Sequence, residues 1–285
     1  METVHAIIEA HYQVRAWRQQ GLTVGFVPTM GNLHAGHLSL VNLAKQQADK
    51  VVASVFVNPL QFGPNEDFDR YPRTLEQDEQ LLVQQGCDLL FAPSVEEMYP
   101  NGEIQTKVCA APALADTLEG EKRPGHFDGV TTVVAKLFNI IQPDLAVFGQ
   151  KDFQQYRVIE QMVEDLSYPI QLVRAPIARE TDGLAMSSRN QYLTPEQRAV
   201  APQLFKTLQA LCEALKTSLD KPEQLEQKLH QAKTNLLEAG FDAVDYLELR
   251  DALTLAPATA QTRVGVLLAV ARLGNTRLLD NCLLQ

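Results

Sequence analysis

Cysteine, basic charge and long apolar runs are all in short supply in this 285-residue chain. The four cysteines, Cys87, Cys109, Cys212 and Cys282, are scattered and form no C-x-x-C pair, so they read as reduced, structural thiols of a cytoplasmic protein. No uninterrupted apolar run approaches the length that spans a bilayer, which argues against a membrane role. The opening residues, Met1-Glu2-Thr3-Val4-His5, lack the basic-then-apolar layout of a secretory signal. Lys and Arg number 25 against 35 Asp and Glu, a net charge of −10, which weighs against a large nucleic-acid footprint. Internal repeats and low-complexity tracts are absent as well.

What remains is the composition of a globular enzyme, 45% hydrophobic and 21% charged. The length is generous for one domain and comfortable for two. Up to about residue 175, strand-like and helix-like segments alternate, which predicts an α/β fold with a Rossmann-like, doubly wound parallel sheet. Residues 22–27 and 51–57 read as buried strands, and 88–92, 145–148 and 170–175 as further strands. Residues 74–85 read as a helix with a Thr74/Gln77 capping box and a Gly86 stop, and 129–142 as a helix ended by Pro143. Asp152 is placed to cap a helix that runs to Asp165.

The texture changes near Ala185. Thr194-Pro195-Glu196-Gln197 is a helix start; helices are expected to about Thr217 and over 222–239. Strands at 244–249 and 264–271 then lead into a Gly274-Asn275 turn. The expected division is a sheet domain, 1–185, and a smaller α+β domain, 186–285. Its hinge should lie within 177–186, where Asp182-Gly183 supplies turn chemistry.

The most informative stretch is Pro28 to His37, PTMGNLHAGH, between the first long strand and a helix. Strand, glycine-containing turn and helix start together offer backbone N–H groups and a helix dipole to an anion. His34 and His37 add ring N–H groups at the same turn. The spacing Gly31-x4-Gly36 imitates a Walker A loop, but His37 and Leu38 stand where Lys and Ser/Thr belong, which disfavours a P-loop enzyme. The blander alternatives are a tight connection or a metal site; for zinc, a helical histidine pair is more often spaced by four and no nearby third ligand stands out. Nucleotide phosphates fit the pattern better, and an acidic chain still binds them, because recognition depends on local donors.

The strand-Pro-Thr-Met-Gly-x-Leu-His-x-Gly-His pattern resembles the HIGH-type signature of adenylyl-transferring α/β enzymes. In this longer form it resembles the pantothenate synthetase (pantoate–β-alanine ligase) family. Four more segments agree in order: Phe56-Val57-Asn58-Pro59-Leu60-Gln61-Phe62, Tyr71-Pro72-Arg73-Thr74, Phe148 to Gln155, and Met186-Ser187-Ser188-Arg189-Asn190. Leu273 to Asn281, LGNTRLLDN, extends the likeness almost to the C-terminus.

The resemblance implies an ATP-dependent ligation of pantoate and β-alanine through pantoyl adenylate, with release of pyrophosphate and AMP. It implies catalytic roles for His34, His37 and Lys151, with His37 at the position commonly called a proton donor. The implied ATP contacts are Met30, Gly31, Asn32, Leu33, His34, Ala35, Gly36 and His37; Gly149, Gln150, Lys151 and Asp152; Ala178, where the family more often has Val; and Met186, Ser187, Ser188 and Arg189. The last four are the counterpart of a KMSKS loop, with a guanidinium suited to pyrophosphate. Gln61 and Gln155 resemble the pantoate-binding pair. Gln61 also borders the β-alanine position, and Asn58 is expected to hold the intermediate or the incoming amine. Phe56, Phe62, Phe148 and Phe153 suit pocket walls and core. Mg²⁺ is implied by ATP chemistry, with Asp78 as a speculative contact and helix surface charge as its alternative reading.

Read without the family, Lys151-Asp152 is equally a surface charge and a helix cap, and the alternative for Ser187 to Arg189 is a polar turn between domains. A homodimer is implied as well, and residues 186–285 are expected to act as a lid. Competing readings are another nucleotidyltransferase of the superfamily, which should lack the Asn58/Gln61 and Gln155 set, a class I aminoacyl-tRNA synthetase, and a nucleotide-binding regulator without turnover.

Overall fold

The chain opens on a short strand, β1 (Glu2–Val4), and a helix, α1 (Ile7–Gln19), neither of which the periodicity announces. There follow β2 (Val24–Thr29), α2 (Ala35–Lys45), β3 (Lys50–Val55), α3 (Leu75–Gln85) and β4 (Leu89–Phe91). Three one-turn helices, α4 (Val95–Met98), α5 (Pro112–Ala115) and α6 (Glu119–Lys122), precede α7 (His126–Ile141), β5 (Leu145–Gly149), α8 (Phe153–Asp165) and β6 (Gln171–Ala175). The computed structural model describes every residue except 65, 101, 103–105, 216–221 and 285.

The six strands pair in parallel in the order β1-β4-β3-β2-β5-β6, the expected doubly wound sheet. Alternation along β2 and β3 sends Phe26 and Val52 to one face, packed with α1, α7 and α8, and Val27, Val51 and Ala53 to the other, packed with α2 and α3. Each buried Phe or Val side chain among these contributes about 1.5–3 kcal/mol. Gly25 lets α2 and the turn after it lie close on the sheet, since a Cβ there would stand 3.4 Å from that of Ala44 and 3.1 Å from that of Ala48.

From β2 the chain winds outward through β3 and β4, then returns to the other side of β2 for β5 and β6, so the strand order reverses at β2/β5. The β2–β5 pairing covers only Gly25 and Phe26, whereas β2–β3 pairing runs to Thr29. Val24 directs its carbonyl toward Asp144, on the β5 side, so alternation puts the missing N–H of Pro28 on that same side, beyond the end of pairing. A crevice at the carboxyl ends of β2 and β5 is where doubly wound sheets take their ligands.

The structure divides into two compact units, residues 1–150 with 154–176, and residues 151–153 with 177–285. In the second, α9 (Pro195–Val200), α10 (Gln203–Leu215) and α11 (Pro222–Glu238) cover an antiparallel sheet of β7 (Ala243–Asp251), β8 (Gly265–Leu273) and β9 (Thr276–Leu284). Thr194 and Gln197 form the expected capping box, and Gly274, at φ 57°, turns the expected hairpin into β9. The expected helix end at Thr217 lies outside the described residues. Residues 177–185, read from the sequence as part of the sheet domain, group with the second unit, where Arg179 forms an ion pair with Asp280.

One capping expectation is corrected. Thr74 makes no side-chain cap to α3; its hydroxyl donates instead to Asp78 Oδ2 at 3.2 Å. Among the described residues no helix is long and apolar enough to cross a membrane.

Candidate active site

After β2 the backbone turns through two successive left-handed residues, Gly31 at φ 80° and Asn32 at φ 51°. Glycine is needed at the first, because a Cβ would lie 3.0 Å from both Asp78 Oδ2 and Val55 Cγ1. The turn folds around the Asp78 carboxylate. Asn32 N–H donates to Oδ2 at 3.0 Å and Leu33 N–H to Oδ1 at 2.8 Å, with the Thr74 hydroxyl as a third donor. Asp78 is 1% exposed, which corrects its reading as helix surface charge. Burial pushes its pKa up, and the Leu33, Asn32 and Thr74 donors oppose that rise.

The two histidines close the turn. His34 is the N-cap of α2; its Nδ1 accepts from Gly36 N–H at 3.1 Å, and His37 Nδ1 accepts from His34 N–H at 3.4 Å. These backbone donors assign the tautomer, for a ring nitrogen that accepts carries no proton. In this arrangement Nε2 is left as the N–H of each ring, and the ring centroids lie 4.1 Å apart. The loop therefore differs from the expected backbone cradle at Asn32, Leu33 and Gly36, whose N–H groups already serve Asp78 and His34. The two imidazoles stand at the N-terminus of α2, where the helix dipole favours negative charge.

Met30 joins this loop to the turn after β3, because Gln61 Nε2 donates to Met30 Sδ at 3.1 Å. Gln61 is fixed from its other end too. Its Oε1 accepts from Asn58 Nδ2 at 3.1 Å, and Asn58, 1% exposed, also donates to the Gly129 carbonyl and accepts from Tyr99 OH at 2.8 Å. Burial pushes the Tyr99 phenol's pKa up, so it stays a donor. Asn58 Oδ1 in addition accepts from Leu60 N–H, capping the one-turn 3-10 helix Pro59–Gln61. A side chain at Gly129 would put Cβ 2.2 Å from the Leu60 carbonyl oxygen, so only glycine lets α7 approach this turn.

The main-chain carbonyl of Gln61 is held as well. His126 Nδ1 donates to it at 2.8 Å and Arg123 at 3.3 Å, while Arg123 donates to His126 Nε2 at 3.0 Å and forms a bidentate pair with Glu66. Burial, and then the Arg123 charge, push the His126 pKa down to about 4. Burial raises the Glu66 carboxyl, but the Arg123 hydrogen bonds and charge outweigh it and hold it below its usual range. Sequence pattern alone does not mark Tyr99, Arg123, His126 or Glu66. Their signal there is slight: a histidine between two glycines, Gly125-His126-Phe127-Asp128-Gly129.

At the end of β5, Gly149 and Gln150 close the first unit's share of the expected nucleotide segment, and Gln155 is half-buried in the first turn of α8. Its neighbour Gln154 is structural: it bonds Glu119 N–H and the Leu114 and Thr117 carbonyls. Lys151 and Asp152 lie in a 3-10 turn, Gln150–Asp152, immediately before α8, and approach each other to 3.6 Å. In the second unit the Ala178 carbonyl accepts from Met186 N–H, and Ser187 Oγ accepts from Arg189 N–H as the cap of a 3-10 turn, Ser188–Tyr192. Of the four phenylalanines, Phe56, Phe148 and Phe153 are buried, while Phe62 stacks edge-on against Phe68 and Tyr71.

Comparison with known proteins decides the family. The pantoate-beta-alanine ligase family matches residues 2–283. The chain belongs to the pantoate–β-alanine ligase family. It is 55% identical over 285 residues, the whole of both chains, to the pantothenate synthetase of Hydrogenovibrio crunogenus. The crystal structure of pantothenate synthetase from Thermus thermophilus superposes with a TM-score of 0.88 at 45% identity, covering 99% of each chain. A ligase of the family from Francisella tularensis, complexed with beta-gamma ATP and β-alanine, gives a TM-score of 0.81 at 33% identity, covering 99% of this chain and 97% of its own. Membership makes the chain a ligase of pantothenate biosynthesis.

ATP chemistry in a pantoate–β-alanine ligase implies Mg²⁺, and the carboxylate nearest the loop is Asp78. Asp78 does not fit a resident ion, since its two oxygens already accept three hydrogen bonds from the loop and Thr74. Among the described residues no group of three or more His, Cys, Asp or Glu side chains is arranged to hold a metal ion.

Proposed function

We propose that the protein forms pantothenate in two steps at the loop and turn described above. A pantoate carboxylate oxygen attacks the α-phosphorus of ATP, forming pantoyl adenylate and releasing pyrophosphate. The amine of β-alanine then attacks the activated carbonyl carbon, and AMP leaves. Adenylation converts a carboxylate, whose oxide is a poor leaving group, into an acyl donor. The protein's task is to align reactants and stabilise charge that develops on phosphate oxygens.

The observation that carries this reading is the pair of backbone-capped imidazoles on a loop tied through Met30 to an immobilised amide, Gln61. His34 and His37 donate from Nε2 to the phosphates, the rest of Met30 to His37 forming the loop that holds them. Gly149, Gln150 and Lys151 belong to the phosphate site, Asp152 to the ribose, Ala178 to adenine, and Met186 to Arg189 to the departing pyrophosphate. Gln61 and Gln155 bind pantoate, and Gln61 borders β-alanine. Asn58, whose amide is fully engaged by Gln61, Gly129, Tyr99 and Leu60, is assigned to holding Gln61 rather than to touching the intermediate. The Francisella tularensis relative complexed with beta-gamma ATP and β-alanine supports the nucleotide and amine halves of the reading. Mg²⁺ enters only as the ion that accompanies ATP, and no step is assigned to it.

A homodimer, a cytoplasmic location and a lid role for the C-terminal part belong to the same proposal. Sedimentation and ATP protection of residues 177–186 from limited proteolysis test the first and the last. The central test is pantoate-dependent exchange of labelled pyrophosphate into ATP without β-alanine. Exchange is expected; a strict requirement for β-alanine would replace two steps with a concerted one.

A further inference from the structure

The C-terminal segment Leu273 to Asn281 has no part in the reading above, yet it carries two consecutive buried polar residues on one strand. Asp280 and Asn281 are each 3% exposed. Neighbours on a strand point to opposite faces, so the pair reaches to both sides of β9, an edge strand of its sheet.

On one side Asp280 takes a bidentate pair from Arg179, at 2.7 and 2.9 Å. Arg179 also donates to the Gly183 carbonyl at 3.0 Å, and its guanidinium stacks 3.8 Å from the Phe205 ring centre. That fixes the tight hairpin in which Arg179 bridges Ala185 and Met186 N–H bonds the Ala178 carbonyl. On the other side Asn281 Nδ2 donates to the main-chain carbonyl of Lys151 at 2.9 Å. The two side chains therefore anchor two stretches far apart in sequence, the Lys151 turn and the hairpin leading into Met186 to Arg189.

We propose that Asp280 and Asn281 are positioning residues for the nucleotide site, Asn281 setting where the Lys151 side chain begins and Asp280, through Arg179, where Ala178 and Met186 stand. This deepens the assignment of those residues to ATP and rests on it. Neither anchor touches substrate; each fixes the backbone from which a phosphate- or adenine-contacting residue projects.

Asn281→Asp keeps the shape, removes the donor and turns a carboxylate toward the Lys151 carbonyl; Asn281→Ala removes the amide without burying a charge and serves if the first does not fold. In pyrophosphate exchange, kcat/KM for ATP is expected to fall roughly 10²-fold, the scale of a misplaced reacting group. The KM for pantoate should rise much less than that for ATP, because Gln61, one of the two amides assigned to pantoate, is held independently by Asn58 and Met30. Arg179→Lys keeps the charge but loses the planar fork, and should likewise raise the KM for ATP. Lys151→Ala is measured in parallel, and Asn281→Ala added to it should cost nothing further. A lowered melting temperature with an unchanged ATP-to-pantoate KM ratio overturns the inference. Loss of ATP use in Lys151→Ala but not in the Asn281 variants overturns it alone; wild-type behaviour in all of them overturns the assignment of Lys151 itself.

Discussion

Gln61 donates from Nε2 to Met30 Sδ at 3.1 Å, and this contact ties the histidine loop to the amide turn. The thioether is a weak acceptor, so its share is orientation more than energy. Gln61→Ala should raise the KM for pantoate at least tenfold while leaving that for ATP near wild type. Met30→Leu, which keeps the bulk and loses the acceptor, should raise it only a few-fold, the scale of one weak hydrogen bond. Equal effects on ATP and pantoate would count against the assignment of Gln61.

The caps on His34 and His37 specify a chemical state. Long-range nitrogen–proton correlation spectra of the free protein should show Nε2, not Nδ1, as the protonated nitrogen of each ring. A proton on Nδ1 in either ring would set it against a backbone N–H and refute the capping arrangement. His37→Ala should lower adenylation roughly 10²–10³-fold with a near-native circular-dichroism melt, as expected for loss of one preorganised donor.

Asp78 separates positioning from metal binding. Asp78→Ala leaves the N–H groups of Asn32 and Leu33 without their acceptor, a cost of about 1–3 kcal/mol for each buried group. The melting temperature should fall and the KM for ATP rise, with the concentration of Mg²⁺ needed for half-maximal rate unchanged. A selective rise in that concentration would make Asp78 a metal ligand after all.

His126 gives the stability a pH dependence of definite sign. Its pKa is about 4 when folded against an ordinary 6.5, so between those values the unfolded chain binds the extra proton. Stability from this group is fully present above pH 6.5 and is lost as pH falls toward 4, by up to about 3 kcal/mol. Thermal melts from pH 7 to 4 should show that slope, and His126→Gln should flatten it. An unchanged slope in the variant would mean that other groups carry the acid sensitivity.

Much of this molecule is legible as local pattern. Pro28 to His37 announces a strand, a glycine turn and a helix start, and the structure has β2, the Gly31-Asn32 turn and α2 in those places. Thr194 with Gln197, and Gly274-Asn275, are likewise local signals with local outcomes. The strand β1 is not legible as local pattern because its three residues, Glu2–Val4, carry no periodicity; it exists because it pairs with β4, far along the chain.

The chain alone determined the family, the wound sheet and the residue types at the loop, since each rests on neighbours in sequence or on motifs in order. Only the tertiary structure decided what those groups are free to do. Asp78 reads as an exposed helical carboxylate until β2 and α3 are packed together, whereupon it is the anchor of the turn. Asn58 reads as a ligand amide until Tyr99 and Gly129 arrive from elsewhere and occupy it. Hydrogen-bond satisfaction is a property of groups brought together from distant positions. A buried polar group must find its partners wherever folding puts them.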